Sequence, residues 1–319
     1  MRRSWIVAVV LLMASGAANA AGWPDKPIRA VIPFGAGSAT DVIPRIVFDK
    51  LSSLLGQPIV VENKGGAGST IGAGMVAKAD PDGYTLLATS SAHTIAPSLY
   101  SALNYDPARD FAAVGVIGSV PNVLIISPDK GIKTVQDFVA AAKARPGTFT
   151  FASVGVGSAV HMSAERFRMS AGYEAVHVPF KGGAEAITEV MAGRVDYYFC
   201  PIATALPLIR DGKLLALAVS SRTRAAQLPD VPTTLEAGYK DSDYTFWVGV
   251  FAPAATPRDV IDKLNAEMNK AVQSPEVKDK LTALGVVPVA LSPAAFDAQV
   301  KSELAGNPAF AKAAGMKMN

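Results

Sequence analysis

The most constraining feature of this chain is a short apolar run, Ile28 to Phe34, that breaks into Gly35-Ala36-Gly37-Ser38 before Ile43, Ile46, Val47, Leu51, Leu54 and Leu55 recur at helical spacing. That pattern reads as a strand, a glycine-bearing loop and a helix. Such a loop leaves backbone N–H groups bare and aims them, with the helix dipole, at whatever lies beyond the carboxyl end of the strand. An anion suits that place, and Ser38 and Thr40 add hydroxyl donors. The same loop also serves as a tight turn with an N-cap and no ligand. What narrows the choice is repetition, because small-residue loops follow Phe34, Asn63 (Lys64-Gly65-Gly66-Ala67-Gly68), Ser153 (Val154-Gly155-Val156-Gly157-Ser158) and Phe180 (Lys181-Gly182-Gly183). The first and third share a strand–GxGS–helix form, which predicts two similar half-proteins whose helix N-termini face one cleft.

The rest of the chain fits that frame. Apolar runs predict strands at 59–61, 84–89, 123–127, 149–153, 176–180, 195–199, 215–220 and 247–251, with helical patterns between them. Alternation of this kind predicts an α/β fold with mostly parallel sheets. Thr134 with Asp137 reads as a capping box, and Thr256-Pro257-Arg258-Asp259 and Ser292-Pro293 read as capped helix entries.

The N-terminus has the form of a secretory leader. Met1-Arg2-Arg3 precedes an apolar stretch from Trp5 to Met13, and Ala18-Asn19-Ala20 offers a small-residue cleavage site, so residues 1–21 are read as a signal peptide. The apolar stretch is far short of the roughly 20 residues a bilayer span needs. The formal charge of +3 falls to +1 without Arg2 and Arg3, leaving no basic field for nucleic acid. Cys200 is the sole cysteine, so no intrachain disulfide forms. These features together fit an exported periplasmic protein.

Rival chemistries lack their residues. Gly35-x-Gly37 and Gly155-x-Gly157 begin a dinucleotide fingerprint, but Thr40 and Val160 stand at the third glycine position, and no Gly-Lys-Ser/Thr occurs. The three histidines, His93, His161 and His177, have no metal-ligand spacing, and no Gly-x-Ser-x-Gly elbow is present. Ser127-Pro128-Asp129-Lys130 fits S-x-x-K but reads as a surface turn between domains. Nothing points to a metal, a cofactor or an enzyme. For the cleft, His93 after Ser90-Ser91 has the strongest claim among the histidines. His161 either donates to a ligand carboxylate or satisfies a core carbonyl, and His177, alternating in a strand, is structural. Asp41 caps its own helix or meets ligand, Lys181 supplies a charge or is simply solvated, and Trp247 and Phe34 wall the cleft or pack the core.

With these residues in hand, the chain resembles the Bug family, the periplasmic solute-binding proteins of tripartite tricarboxylate transporters. The resemblance runs from Trp23-Pro24-Asp25-Lys26-Pro27-Ile28 nearly to the end. It is carried by Pro33-Phe34…Gly37…Thr40-Asp41, Val61-Glu62-Asn63-Lys64-Gly65-Gly66-Ala67-Gly68, Asp80-Pro81-Asp82-Gly83-Tyr84 and His93-Thr94-Ile95-Ala96-Pro97. Gly155-x-Gly157-Ser158…His161, Pro179-Phe180-Lys181-Gly182-Gly183, Gly212-Lys213-Leu214 and Val231-Pro232-Thr233 complete it. It implies a two-lobed, Venus-flytrap (type II) periplasmic-binding-protein fold, with lobe one at 22–122 plus 245–319 and lobe two at 123–244. Two strands would cross between the lobes near Asn122–Ser127 and Asp243–Val250. A ligand carboxylate would be held by the loops at Phe34, Gly37, Ser38, Ala39, Thr40 and Asp41, and at Ser153, Val154, Gly155, Val156, Gly157 and Ser158. Ser90, Ser91, His93, His161, Phe180, Lys181, Gly182, Cys200 and Trp247 would complete the site. The chain is expected to be a monomer that needs no cofactor, and the resemblance implies the transporter's membrane permease subunits as partners. A sensor subunit for a receptor or kinase would use the same cleft, and a secreted carboxylate-processing enzyme is the remoter alternative. Two departures stand out: Ser38 replaces a common second glycine, and Cys200-Pro201 stand where many relatives carry an acid. Without that acid to answer an amino group, the expected ligand is an organic mono-, di- or tricarboxylate, aromatic acids included, and not an amino acid.

Overall fold

The computed structural model describes residues 22–316, so the expected signal peptide lies outside the described residues. In chain order the first elements are β1 (Ile28–Ile32), α1 (Ala39–Leu55), β2 (Ile59–Asn63), α2 (Thr70–Ala77), β3 (Thr85–Ser90), α3 (Ala92–Leu99) and β4 (Phe111–Ile126). Next come α4 (Val135–Ala144), β5 (Phe149–Ser153), α5 (Ala159–Ala171), β6 (Ala175–Pro179), α6 (Gly183–Met191), β7 (Tyr197–Pro201), α7 (Ile202–Arg210) and β8 (Leu215–Val219). The chain closes with β9 (Thr245–Pro253), α8 (Arg258–Gln273), α9 (Pro275–Ala283), β10 (Val287–Pro288) and α10 (Pro293–Ala313).

The two halves repeat one plan. In the first, β1 pairs in parallel with β2 and β3, and β9 and then β4 continue antiparallel. In the second, β5 pairs in parallel with β6 and β7, and β4 and then β8 continue antiparallel. Parallel strands covered by helices are buried on both faces, which is why β1 and β5 read as unbroken apolar runs. The expectation of mostly parallel sheets holds only for these strand triplets.

The strand β4, 16 residues long, belongs to both halves. It pairs with β9 as far as Pro121↔Thr245, then with β7 from Asn122↔Pro201. Pro121, with no N–H to donate, stands where the partner changes. The return crossing is short: Tyr244 N–H donates to the Ser220 carbonyl (2.7 Å), Ser220 N–H to that of Asn122 (2.8 Å), and Ser220 Oγ to that of Tyr244 (2.6 Å). β9 then lies wholly within the first half. Two lobes joined in this way form the periplasmic-binding-protein fold.

Local expectations fared unevenly. Thr134 Oγ1 accepts from Asp137 N–H (3.0 Å) and Ser292 Oγ from Ala295 N–H (3.2 Å), as their caps require. Thr256 does not cap α8, because Pro257 occupies the N-cap and Thr256 Oγ1 is buried without a partner. The Pro128–Lys130 turn lies inside the second lobe, where Lys130 pairs with Asp196 of the segment leading into β7 (2.6 Å). Among the described residues, no helix is long and apolar enough to cross a membrane.

Candidate functional site

The loops after β1 and β5 fold alike because each contains a glycine at φ +78°, Gly37 and Gly157. Both glycines are fastened from one helical turn ahead. Gly37 N–H donates to Asp41 Oδ2 (2.8 Å), and Gly157 N–H to His161 Nδ1 (3.1 Å). Asp41 also accepts from Asn63 Nδ2 (2.8 Å) and Arg45 Nε (2.8 Å). Burial alone would raise its carboxyl, but the hydrogen bonds from Asn63, Gly37 and Arg45 outweigh that and hold it below the usual carboxylate range. An accepting Nδ1 requires a neutral His161 with its proton on Nε2. Burial, with His177 and Arg168 nearby, pushes that imidazole well below its usual value. The His161 ring stacks on His177 at 4.0 Å, and His177 Nε2 meets Ser153 Oγ at 2.5 Å. Asp41, His161 and Ser153 therefore shape the loops from behind.

In front of the loops lies a cavity of about 720 Å³ between the lobes. The first lobe contributes Phe34, Gly37, Ser38, Ala39, Thr40 and Ser90; the second contributes Val154, Gly155, Val156, Ser158, Phe180, Lys181, Gly182 and Cys200. Ala39 and Thr40 open α1, and Ala159 and Val160 open α5. First-turn N–H groups have no intrahelical acceptor, so two positive helix ends converge on the space. The entries of α2 and α6 line it as well. Lys181, exposed, is the one charged side chain among the lining residues. The two serines differ: Ser158 Oγ donates to the Gly155 carbonyl (2.7 Å) and accepts from His161 N–H (3.4 Å), whereas Ser38 Oγ has no partner. Burial pushes the Cys200 thiol's pKa up, so it lines the cavity as a neutral group.

Seven residues expected at the site do not line the cavity. Asp41, His161 and Ser153 hold the loops, and Gly157 packs against Leu99 and Ile95 of α3. Ser91 Oγ is engaged with Tyr244 Oη (2.7 Å). His93, read as the histidine closest to the cleft, is wholly buried among Tyr105, Phe111 and Phe251, and neither ring nitrogen has a partner. Burial pushes its pKa down to about 3. Trp247 faces the core against Phe296 and donates Nε1 to Glu303 (2.9 Å). The lining residues that were missed include Tyr100, Tyr198, Thr204 and Phe246, along with Gly66–Ser69 before α2. The signal available for the last group was the glycine loop itself.

Two α/β lobes closing over a cavity fed by helix N-termini define a solute-binding receptor rather than an enzyme. The model of the tripartite tricarboxylate transporter family receptors matches residues 43–315, and the chain belongs to that family. The chain is 37% identical to the protein BugT of Bordetella pertussis over 273 residues, covering 85% of this chain and 84% of that one. Its fold matches Rpa4515 of R. palustris, solved with adipate, at a TM-score of 0.88 and 32% identity, covering 93% of this chain and 100% of that one. It also matches MatC of Rhodopseudomonas palustris, solved with bound malate, at a TM-score of 0.84 and 31% identity, covering 90% and 99%.

Proposed function

We propose that this chain is an exported periplasmic receptor that captures a small organic carboxylate between its lobes and delivers it to the membrane permease of a tripartite transporter. The observation that carries the reading is the cavity itself: helix N-termini from both lobes line it, with Lys181 the one charged side chain among the lining residues. Backbone N–H groups and helix dipoles favour an anion there. Bound adipate and malate in two relatives of like fold support a carboxylate as that anion. Neutral Cys200, with no acid beside it in the cavity wall, favours an acid without an amino group. Residues 22–122 plus 245–319 and residues 123–244 are the units that close, and a ligand bridging them favours the closed form by its differential affinity.

The test is thermal unfolding of residues 22–319 against citrate, aliphatic and aromatic carboxylates, aspartate and glutamate. A ligand that binds only the folded form stabilises it by about 2.7 kcal/mol at roughly 100 times its dissociation constant. A shift with organic acids and none with the amino acids is the expected result. A shift with aspartate or glutamate alone refutes the ligand class, and no shift with ligand-free protein refutes the carboxylate site.

A further inference from the structure

The two anchor loops are fastened, and their fasteners backed, at matching positions. In the first lobe Gly37 N–H donates to Asp41, whose Oδ1 accepts from Arg45 Nε (2.8 Å). In the second lobe Gly157 N–H donates to His161, whose Nε2 faces Glu165 Oε1 at 3.8 Å. Each series advances by four residues a step, so the backing residue stands one turn further along the same helix face. Arg45 and Glu165 carry opposite charges, and each suits the group in front of it. A carboxylate only accepts hydrogen bonds and takes a cation behind it. A neutral imidazole accepts on Nδ1 only while Nε2 carries the proton, so it takes an acceptor behind it.

Glu165 is held in place for that part. It is only 6% exposed, a position a carboxylate occupies when it is paired. Arg168 supplies the pair: its Nε and Nη2 both donate to Glu165 Oε2 (2.9 and 2.6 Å), and Nη2 also reaches the Ala314 carbonyl at the end of α10 (3.3 Å). Burial raises the Glu165 carboxyl's pKa, and Arg168 opposes that rise. With Oε2 taken by the guanidinium, Oε1 is the oxygen turned to the imidazole. Its distance exceeds hydrogen-bond length, so its pull on the Nε2 proton is electrostatic, strengthened by the buried setting. His177, stacked on the same ring, has its own Nε2 on Ser153 Oγ, and Phe151 on that stack offers no acceptor.

We propose that Glu165 is a positioning residue: it selects the His161 tautomer that accepts from Gly157 N–H, and Arg168 orients it to do so. The second-lobe anchor loop keeps its binding shape through that bond. The consequence for affinity rests on the carboxylate-receptor reading above, whereas the tautomer and the loop bond are independent of it. An ordinary i,i+3 helix pair would add to stability alone and leave the imidazole as it is.

The test is nitrogen NMR of the histidine rings and hydrogen exchange at the Gly157 amide, in nitrogen-labelled protein of residues 22–319. Wild-type His161 is expected to carry its proton on Nε2, with Nδ1 bare. In Glu165→Gln the side-chain oxygen stays with Arg168, so the amide NH2 faces Nε2 and the proton should move to Nδ1, where it opposes Gly157 N–H. Exchange at Gly157 should then quicken by about two- to tenfold, the range for one lost hydrogen bond, and adipate affinity by calorimetry should fall by a like factor. Arg168→Lys, which keeps a cation on the carboxylate, should retain the Nε2 tautomer. A wild-type His161 protonated on Nδ1 overturns the proposal without recourse to any variant. So does a folded Glu165→Gln protein that keeps both the Nε2 proton and the slow exchange. If adipate does not bind the wild type, the carboxylate reading suffers, while the two NMR readouts still decide for or against Glu165.

Discussion

Gly157 makes the closed arrangement testable with a single methyl group. It lies in the second lobe's loop at φ +78°, and a Cβ there would fall 2.5 Å from Leu99 Cδ1 and 3.3 Å from Ile95 Cγ2, both on α3 of the first lobe. Gly37, its counterpart, has the same φ but no heavy atom within 4 Å of the corresponding Cβ. Gly37→Ala therefore bears only the left-handed backbone cost, about 1–2 kcal/mol. Gly157→Ala bears the same cost and an overpacking cost of about 1–3 kcal/mol, because Leu99 and Ile95 are buried and have little room to yield. The second cost vanishes if the lobes part, so it biases the ligand-free protein toward opening by about 5- to 150-fold. Dyes on one surface cysteine placed in each lobe report this by energy transfer, with buried Cys200 staying unlabelled. Leu99→Ala clears the space and should restore closure in the Gly157→Ala background, giving a coupling of about 1–3 kcal/mol in a double-mutant cycle. If Gly157→Ala and Gly37→Ala lower stability equally and neither changes energy transfer, the contact does not govern closure and the reasoning fails.

The remaining expectations concern buried polar groups. His93→Phe should be neutral or stabilising by urea unfolding at pH 7 and should leave ligand affinity unchanged, since neither ring nitrogen is hydrogen-bonded; a loss of affinity would return His93 to the site. Burial lowers His93 to about 3 and His177 to about 4, while the unfolded histidines titrate near 6.5, so the unfolded state binds more protons across that window. Stability is then complete above pH 6.5 and falls as pH drops, by about 1.4 kcal/mol per pH unit for each histidine, and His93→Phe should remove one histidine's share of that slope. Ser158→Ala should cost about 1 kcal/mol as a lost N-cap, whereas Ser38→Ala, with no protein partner to lose, should leave stability unchanged. Equal losses in urea unfolding would show that the two serines play the same part.

Much of the frame was legible because parallel strands and glycine-loop helix entries carry local signals. The first half of β4 was not, because Gly115, Gly118 and Pro121 read as breakers. Gly115 makes room for Met268 and Asn265 of α8, Gly118 makes room for Val286 and the Val287 carbonyl beside β10, and Pro121 marks the change of lobe. Each is explained by a segment distant in sequence. His93 was misplaced for a related reason: Ser90 ends β3 facing the cavity, but α3 begins at Ala92 and turns His93 toward rings supplied by Tyr105, Phe111 and Phe251. The adjacent Tyr197 and Tyr198 show the limit of pattern reading. Alternation puts them on opposite faces of β7, with Tyr197 against Phe138 and Tyr198 on the cavity, but it does not say which face is which.

The two anchor loops reach one backbone shape by different chemistry, and the difference divides the labour between the lobes. In the second lobe every group behind the loop is engaged within it: His161 takes the Gly157 N–H, Ser158 closes on the Gly155 carbonyl, and Ser153 meets His177. That loop is complete before a ligand arrives. In the first lobe Asp41, braced by Asn63 and Arg45, fixes the Gly37 N–H just as firmly, but the Ser38 hydroxyl is left without a partner. Placing the carboxylate of Asp41 behind the loop also has an electrostatic consequence. Its negative charge would repel an anion across the loop, yet Arg45 pairs with it at 2.8 Å and Asn63 donates a hydrogen bond to it at 2.8 Å. What faces the cavity is the N-terminal end of α1, with the charge that holds its loop in shape paired to Arg45 behind it.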